Sequence, residues 1–134
     1  MKVFVDTSAF IALADPEDAH HREADLKRSR LLRERIPAFT SNAVAYETLT
    51  WLAIKAGARQ AAEFGNGIWK EGSYLSCLAL GRQDELGSLH VLEKHHDLPL
   101  SFVDASSIHL IRKHRLDAIF AFDDHFRKAG IAIF

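Results

Sequence analysis

A single cysteine, Cys77, leaves the chain no partner for an intrachain disulfide, so stability must come from packing and nothing points to an oxidising compartment. A basic excess is missing too. The 17 Lys and Arg stand against 18 Asp and Glu, for a formal charge of -1, which excludes the diffuse positive field of many non-specific nucleic-acid binders. Any nucleic acid must then be held by a local patch. No stretch approaches the roughly 18 apolar residues of a membrane span, and Asp6 comes too early for the apolar region of a secretory signal. The expectation is a cytoplasmic protein that makes no use of a membrane. Low-complexity tracts, linkers and solenoid-length repeats are absent as well. With 48% hydrophobic residues in 134, a single domain spanning 1-134 can enclose a core.

What is present is an alternation of short apolar runs with longer helical stretches, the pattern of an α/β protein with a mainly parallel sheet. Five strands are expected near Val3 to Val5, Ala38 to Thr40, Tyr74 to Ala79, Ala118 to Phe122 and Ile131 to Ile133. Asp15 followed by Pro16 predicts a helix start there, with Pro16 at the first helical position, and a charged surface helix running to about Arg35. Ser41 or Asn42 suits the cap of a helix over 43–56, which Gly57 ends. Further helices are expected over 59–69, 83–96 and 105–114, the first weakened by Gly65-Asn66-Gly67.

Three acids each follow an apolar run directly: Asp6 after Val3-Phe4-Val5, Asp104 after Phe102-Val103 and Asp123 after Phe120-Ala121-Phe122. In parallel sheets ligands bind beyond the carboxyl ends of the strands, so residues at such junctions converge on one edge. Each acid is equally suited to capping a following helix. Phe-Val-Asp-Thr-Ser and Phe-Val-Asp-Ala-Ser echo one another and predict similar corners at Asp6 and Asp104. Glu47 shares a helical face with Val44 and Trp51, where a buried, unpaired carboxylate is costly without a partner or metal. Exposure at the helix surface is the alternative.

Two like charges at about 4 Å repel by roughly 4 kcal/mol at an effective dielectric near 20, so a cluster of these carboxylates needs cations or shared protons. Mg2+ and Mn2+ suit a set of oxygen ligands and zinc does not. Phosphodiester hydrolysis is the chemistry such a site serves, since a divalent ion activates water and stabilises charge on the phosphate.

The stretches Phe4-Val5-Asp6-Thr7-Ser8-Ala9, Thr40-Ser41-Asn42-Ala43-Val44-Ala45-Tyr46-Glu47, Leu100-Ser101-Phe102-Val103-Asp104-Ala105 and Phe122-Asp123-Asp124-His125-Phe126 resemble, in this order and across nearly the whole chain, the motifs of PIN-domain nucleases. The resemblance is closer to the VapC toxins of toxin–antitoxin pairs. It implies a three-layer α/β/α fold with about five strands, cleavage of RNA, and a Mg2+ or Mn2+ site in which Asp6 and Asp104 are the principal ligands. Glu47 and Asp123 would complete the acidic pocket, with Ser8 holding it by hydrogen bonding. Asp123 is preferred to Asp124 because it ends the apolar run and stands three residues before Phe126. A small VapB-like antitoxin and a homodimer are implied as partners.

A housekeeping PIN nuclease of RNA maturation is the second reading, and a non-catalytic receiver-like signalling module the third. The receiver pattern wants an acidic pair early and a late Lys; the pair here, Asp123-Asp124, is late. Phosphatases of the haloacid dehalogenase kind want a second Asp where Ser8 stands. Among eight histidines, only His125 adjoins the acids. Arg112, Lys113, His114, Arg115, Arg127 and Lys128 suit either phosphate contact or a solvated surface, and Trp51 and Trp69 suit packing better than base stacking.

Overall fold

The computed structural model describes residues 1–134. Its four strands are β1 (Val3–Val5), β2 (Ala38–Ser41), β3 (Leu75–Leu78) and β4 (Ala118–Phe120). They form one parallel sheet in the order β3-β2-β1-β4. The helices are α1 (Thr7–Ala14), α2 (His21–Arg33), α3 (Asn42–Lys55), α4 (Ala58–Trp69), α5 (Arg82–Lys94), α6 (Phe102–Lys113) and α7 (His125–Lys128). Parallel neighbours need crossover connections, which the helices supply, and helices packed on the faces of a parallel sheet bury its strands. Val3, Phe4 and Val5 of β1 are fully buried, with Ile119 of β4 beside them.

Four of the five expected strands are present, and the fifth is reduced. The segment after Gly130 meets β4 through one parallel bridge between Ile119 and Ile133, flanked by the hydrogen bonds Ile119 N to Ala132 O and Phe134 N to Ile119 O, both 2.8 Å. β4 also ends at Phe120 rather than Phe122, because the Phe122 amide leaves the sheet to donate to Ser8 Oγ at 3.1 Å.

Two helix starts differ from expectation. The helix predicted from Pro16 begins at His21, since Asp15 and Asp18 spend their side chains on turns, accepting from Glu17 N at 3.0 Å and His20 N at 2.8 Å. As expected, it is a surface helix, burying only Ala24 and Leu31. The run Phe102-Val103 before Asp104 is not a strand end but the first turn of α6. Ser101 caps that helix in a reciprocal box: its Oγ accepts from Asp104 N at 3.0 Å, while Asp104 Oδ2 accepts from Ser101 N at 2.9 Å. The echo of Phe-Val-Asp-x-Ser therefore does not repeat in structure. Gly65-Asn66-Gly67 does not break α4, which continues to Trp69 with Gly65 buried.

Candidate active site

The carboxyl edge of the sheet is built by caps. Asp6 ends β1 and is the N-cap of α1, its Oδ2 accepting from Ser8 N at 3.1 Å and Ser8 Oγ at 2.8 Å. Ser41 ends β2 and caps α3, accepting from Val44 N at 3.1 Å. That cap aims α3 outward from the same edge, and its second turn carries Glu47. Thr40 Oγ1 donates to Val5 O at 3.0 Å, tying the β2 end to the β1 end. Beyond β4 the loop carries Asp123.

Asp6, Glu47, Asp104 and Asp123 all line one cleft of about 380 Å3, together with Thr7, Ser8, Ile11, Asp18, His20 and Phe122. The strand-end rule accounts for Asp6 and Asp123. Helices bring in the other two: Glu47 from α3 and Asp104 from the first turn of α6. Capping and convergence are thus not alternatives here, since Asp6 and Asp104 do both. Asp124 is absent from the lining; it faces Arg127 at 3.1 Å and Lys128 at 3.4 Å.

Asp6 is 1% exposed, and its Oδ1 is buried without a hydrogen-bond partner. Burial pushes its carboxyl up to about 7, against the lowering effect of the Ser8 bonds and with a further rise from the Asp104 and Asp123 charges. Glu47 is half-buried and Asp123 exposed. No three acidic, histidine or cysteine side chains stand close enough to ligate one ion together in this conformation. The chemistry of the donors nevertheless fits a divalent cation: every acid is an oxygen donor, and the partnerless Asp6 Oδ1 is a buried atom that a cation would satisfy.

Several cleft residues carried no sequence signal as site residues. Asp18 and His20 reach the cleft through the turn before α2, a placement that no spacing rule foretells. His125, the one histidine singled out, has Nε2 3.1 Å from Asp104 Oδ2. The approach falls outside hydrogen-bonding angles, and the nitrogen is buried without a hydrogen-bond partner. The basic run after Asp104 is engaged elsewhere: Arg112 donates to Ala129 O at 3.0 Å and Lys113 to Asp84 Oδ1 at 2.7 Å.

An acid-lined cleft at the carboxyl edge of a parallel α/β sheet is the architecture of a site for oxygen-ligated divalent ions. The family model for the PIN domain matches residues 3–132, and the chain belongs to this family. It is 33% identical over 129 residues to the 23S rRNA-specific endonuclease VapC20 of Mycobacterium tuberculosis, an alignment covering 96% of this chain and 94% of that one. The crystal structure of that Sarcin-Ricin loop cleaving toxin superposes with a TM-score of 0.86 at 30% identity, covering 99% of this chain and 98% of that one. FitAcB from Neisseria gonorrhoeae shares the fold at a TM-score of 0.71 and 14% identity, with 98% and 96% covered. VapBC2 from Rickettsia felis, bound to a DNA fragment from its promoter, does so at 0.71 and 12%, with 99% and 96% covered. No helix is long and apolar enough to cross a membrane.

Proposed function

We propose that this chain is the toxin of a VapBC-type pair, an endoribonuclease that uses Mg2+ or Mn2+ to hydrolyse RNA phosphodiesters. The observation that carries the reading is the convergence of Asp6, Glu47, Asp104 and Asp123 on one cleft, with a buried Asp6 oxygen left for a cation. Full-length similarity to an endonuclease toxin makes the chain a VapC-type ribonuclease and supports the choice of RNA.

Asp6 and Asp104 hold the ion in this proposal, and Glu47 and Asp123 complete the acidic pocket. A divalent cation there supplies Lewis acidity, activating a water and neutralising charge that develops on the phosphate. Asp6 must be ionised to bind it; in the metal-free protein its raised pKa leaves much of the carboxyl protonated near neutrality. Ser8 occupies Oδ2 of Asp6, and the partnerless Oδ1 would be the oxygen free to ligate a cation. Glu47 and Asp123, both less buried than Asp6, would orient the attacking water and accept its proton. Water adds to phosphorus, the bridging P–O bond breaks, and the leaving oxygen takes a proton.

Purified protein, separated from any antitoxin, should cleave structured RNA with Mn2+ and fail without it, and Asp6→Asn or Asp104→Asn should abolish most of the rate. Metal-independent cleavage of equal rate in both variants would sink the proposal. A VapB-like antitoxin and homodimerisation belong to the same proposal; the antitoxin is suggested by solved structures of the same fold that include VapBC assemblies and a toxin–antitoxin complex from Klebsiella pneumoniae. A housekeeping role in RNA maturation predicts expression without growth arrest and no antitoxin gene alongside. PIN membership leaves no ground for the receiver reading.

A further inference from the structure

The cleft has an aromatic lip. The imidazole of His20 lies flat on the ring of Phe122, with centroids 4.4 Å apart and planes 6° from parallel. Both residues line the cleft that holds the four carboxylates, and His20 is exposed while Phe122 is half-buried. Each ring is held through its own backbone: His20 N donates to Asp18 Oδ1 at 2.8 Å and Phe122 N to Ser8 Oγ at 3.1 Å. Phe122 is supported in turn by Phe120, edge-on at 6.0 Å, and by Lys27 Nζ, 5.3 Å from its centroid. The His20 ring makes no capping bond to α2, the helix it precedes.

A stack of this kind answers a difficulty that the acids create. The cleft is lined by carboxylates and by no Lys or Arg, and the whole chain carries a formal charge of -1, so beyond the cation itself the protein offers little phosphate attraction to hold the nucleotides flanking the scissile bond. Stacking of an unpaired base on an aromatic ring is uncharged, tolerant of sequence, and a common way to hold single-stranded RNA. His20 already forms the outer layer of a supported stack at the mouth of the site.

We propose that His20, backed by Phe122, is the stacking platform for an unpaired nucleobase flanking the scissile phosphate. The inference rests on the ribonuclease reading and assigns the base-binding residue of that same cleft. Phe122 sets the plane and Ser8 sets Phe122, so the hydroxyl that orients Asp6 also places the platform relative to the metal ligands.

The test uses RNA hairpins with a fluorescent purine analogue at successive loop positions, bound to Asp6→Asn protein so that no turnover occurs, alongside cleavage kinetics with Mn2+ in the otherwise wild-type protein. One loop position should quench on binding. His20→Ala should remove the quenching and raise KM about tenfold with kcat changed less than about twofold, while His20→Phe should restore both and leave the melting temperature unchanged. Unaltered KM and quenching in His20→Ala overturns the platform, as does His20→Phe behaving like His20→Ala. The two readings fail separately. Cleavage unaffected by His20→Ala removes the platform and leaves the nuclease, whereas quenching by a wild-type protein that never cleaves removes the nuclease and leaves the platform.

Discussion

Ser8 accepts the amide of Phe122 at 3.1 Å across 114 positions of sequence, and the same hydroxyl donates to Asp6 Oδ2 at 2.8 Å. One small side chain therefore clamps the exit of β4 to the principal acid at the end of β1. It satisfies a backbone group that has left the sheet, and it engages one Asp6 oxygen while the other stays without a partner.

Ser8→Ala removes both bonds and leaves the Phe122 amide without its partner. The expected cost is about 1 to 3 kcal/mol of stability. Half-maximal cleavage should also need roughly 10 to 100 times more divalent cation, as when an outer hydrogen bond to a ligating carboxylate is lost. Thermal melting and a Mn2+ titration of RNA cleavage measure the two effects, and Ser8→Thr should recover part of both.

Asp6 makes the metal-free protein sensitive to pH in an unusual direction. Its folded pKa of about 7 stands above the ordinary aspartate value of 3.8, so between these values the folded state binds more protons than the unfolded one. Stability from this group is present below pH 4 and is lost as pH rises to about 7, by up to about 4 kcal/mol. Chemical denaturation of the metal-free protein between pH 5 and 8 should show the decline. Asp6→Asn, which keeps an oxygen for the Ser8 bonds, should flatten it and be the more stable protein near pH 8, while cleavage is lost. Added Mn2+ should restore wild-type stability at that pH and do little for Asp6→Asn.

The legible parts of this molecule were those set by local chemistry. Val3-Phe4-Val5 announced β1 because a fully buried parallel strand needs an unbroken apolar run, and Asp6 followed at its end. Asp104 lines the cleft by a different route from the one its apolar approach suggests. Its apolar approach is the first turn of α6, and the same short run reads equally well as a strand end. The start of α2 was misplaced because Asp15 and Asp18 each suit a cap or a turn, and only tertiary packing decides. His20 in the cleft could not have been foreseen, since its position depends on that turn and on a Phe122 detached from β4 by a distant serine.

The pair Asp123-Asp124 separates cleanly in this geometry. Asp123 lines the cleft, while Asp124 is occupied by Arg127 and Lys128 on the surface. Asp123→Asn should lower RNA cleavage about tenfold or more with little change in melting. Asp124→Asn should leave cleavage within about twofold and cost no more than about 1 kcal/mol, as exposed ion pairs do. Equal loss in the two variants would show that the acids share the role.

Away from the cleft, α5 and α6 lock through Gly87. A methyl group at Gly87 would run into the His109 ring, and that ring cannot readily move aside because its Nε2 is 2.9 Å from the buried carboxylate of Asp84. Lys113, at 2.7 Å, joins His109 and the Gly81 amide in holding the Asp84 carboxyl below the usual carboxylate range. Helix propensity alone favours Gly87→Ala by about 1 kcal/mol. The clash should outweigh it, because relief requires either breaking the Asp84–His109 contact or parting the helices, and overpacking of this kind costs about 1 to 3 kcal/mol. Gly87→Ala should therefore melt lower than wild type, and adding His109→Ala should recover part of the loss. A Gly87→Ala protein that melts higher than wild type would mean that the ring swings clear and that propensity governs the position.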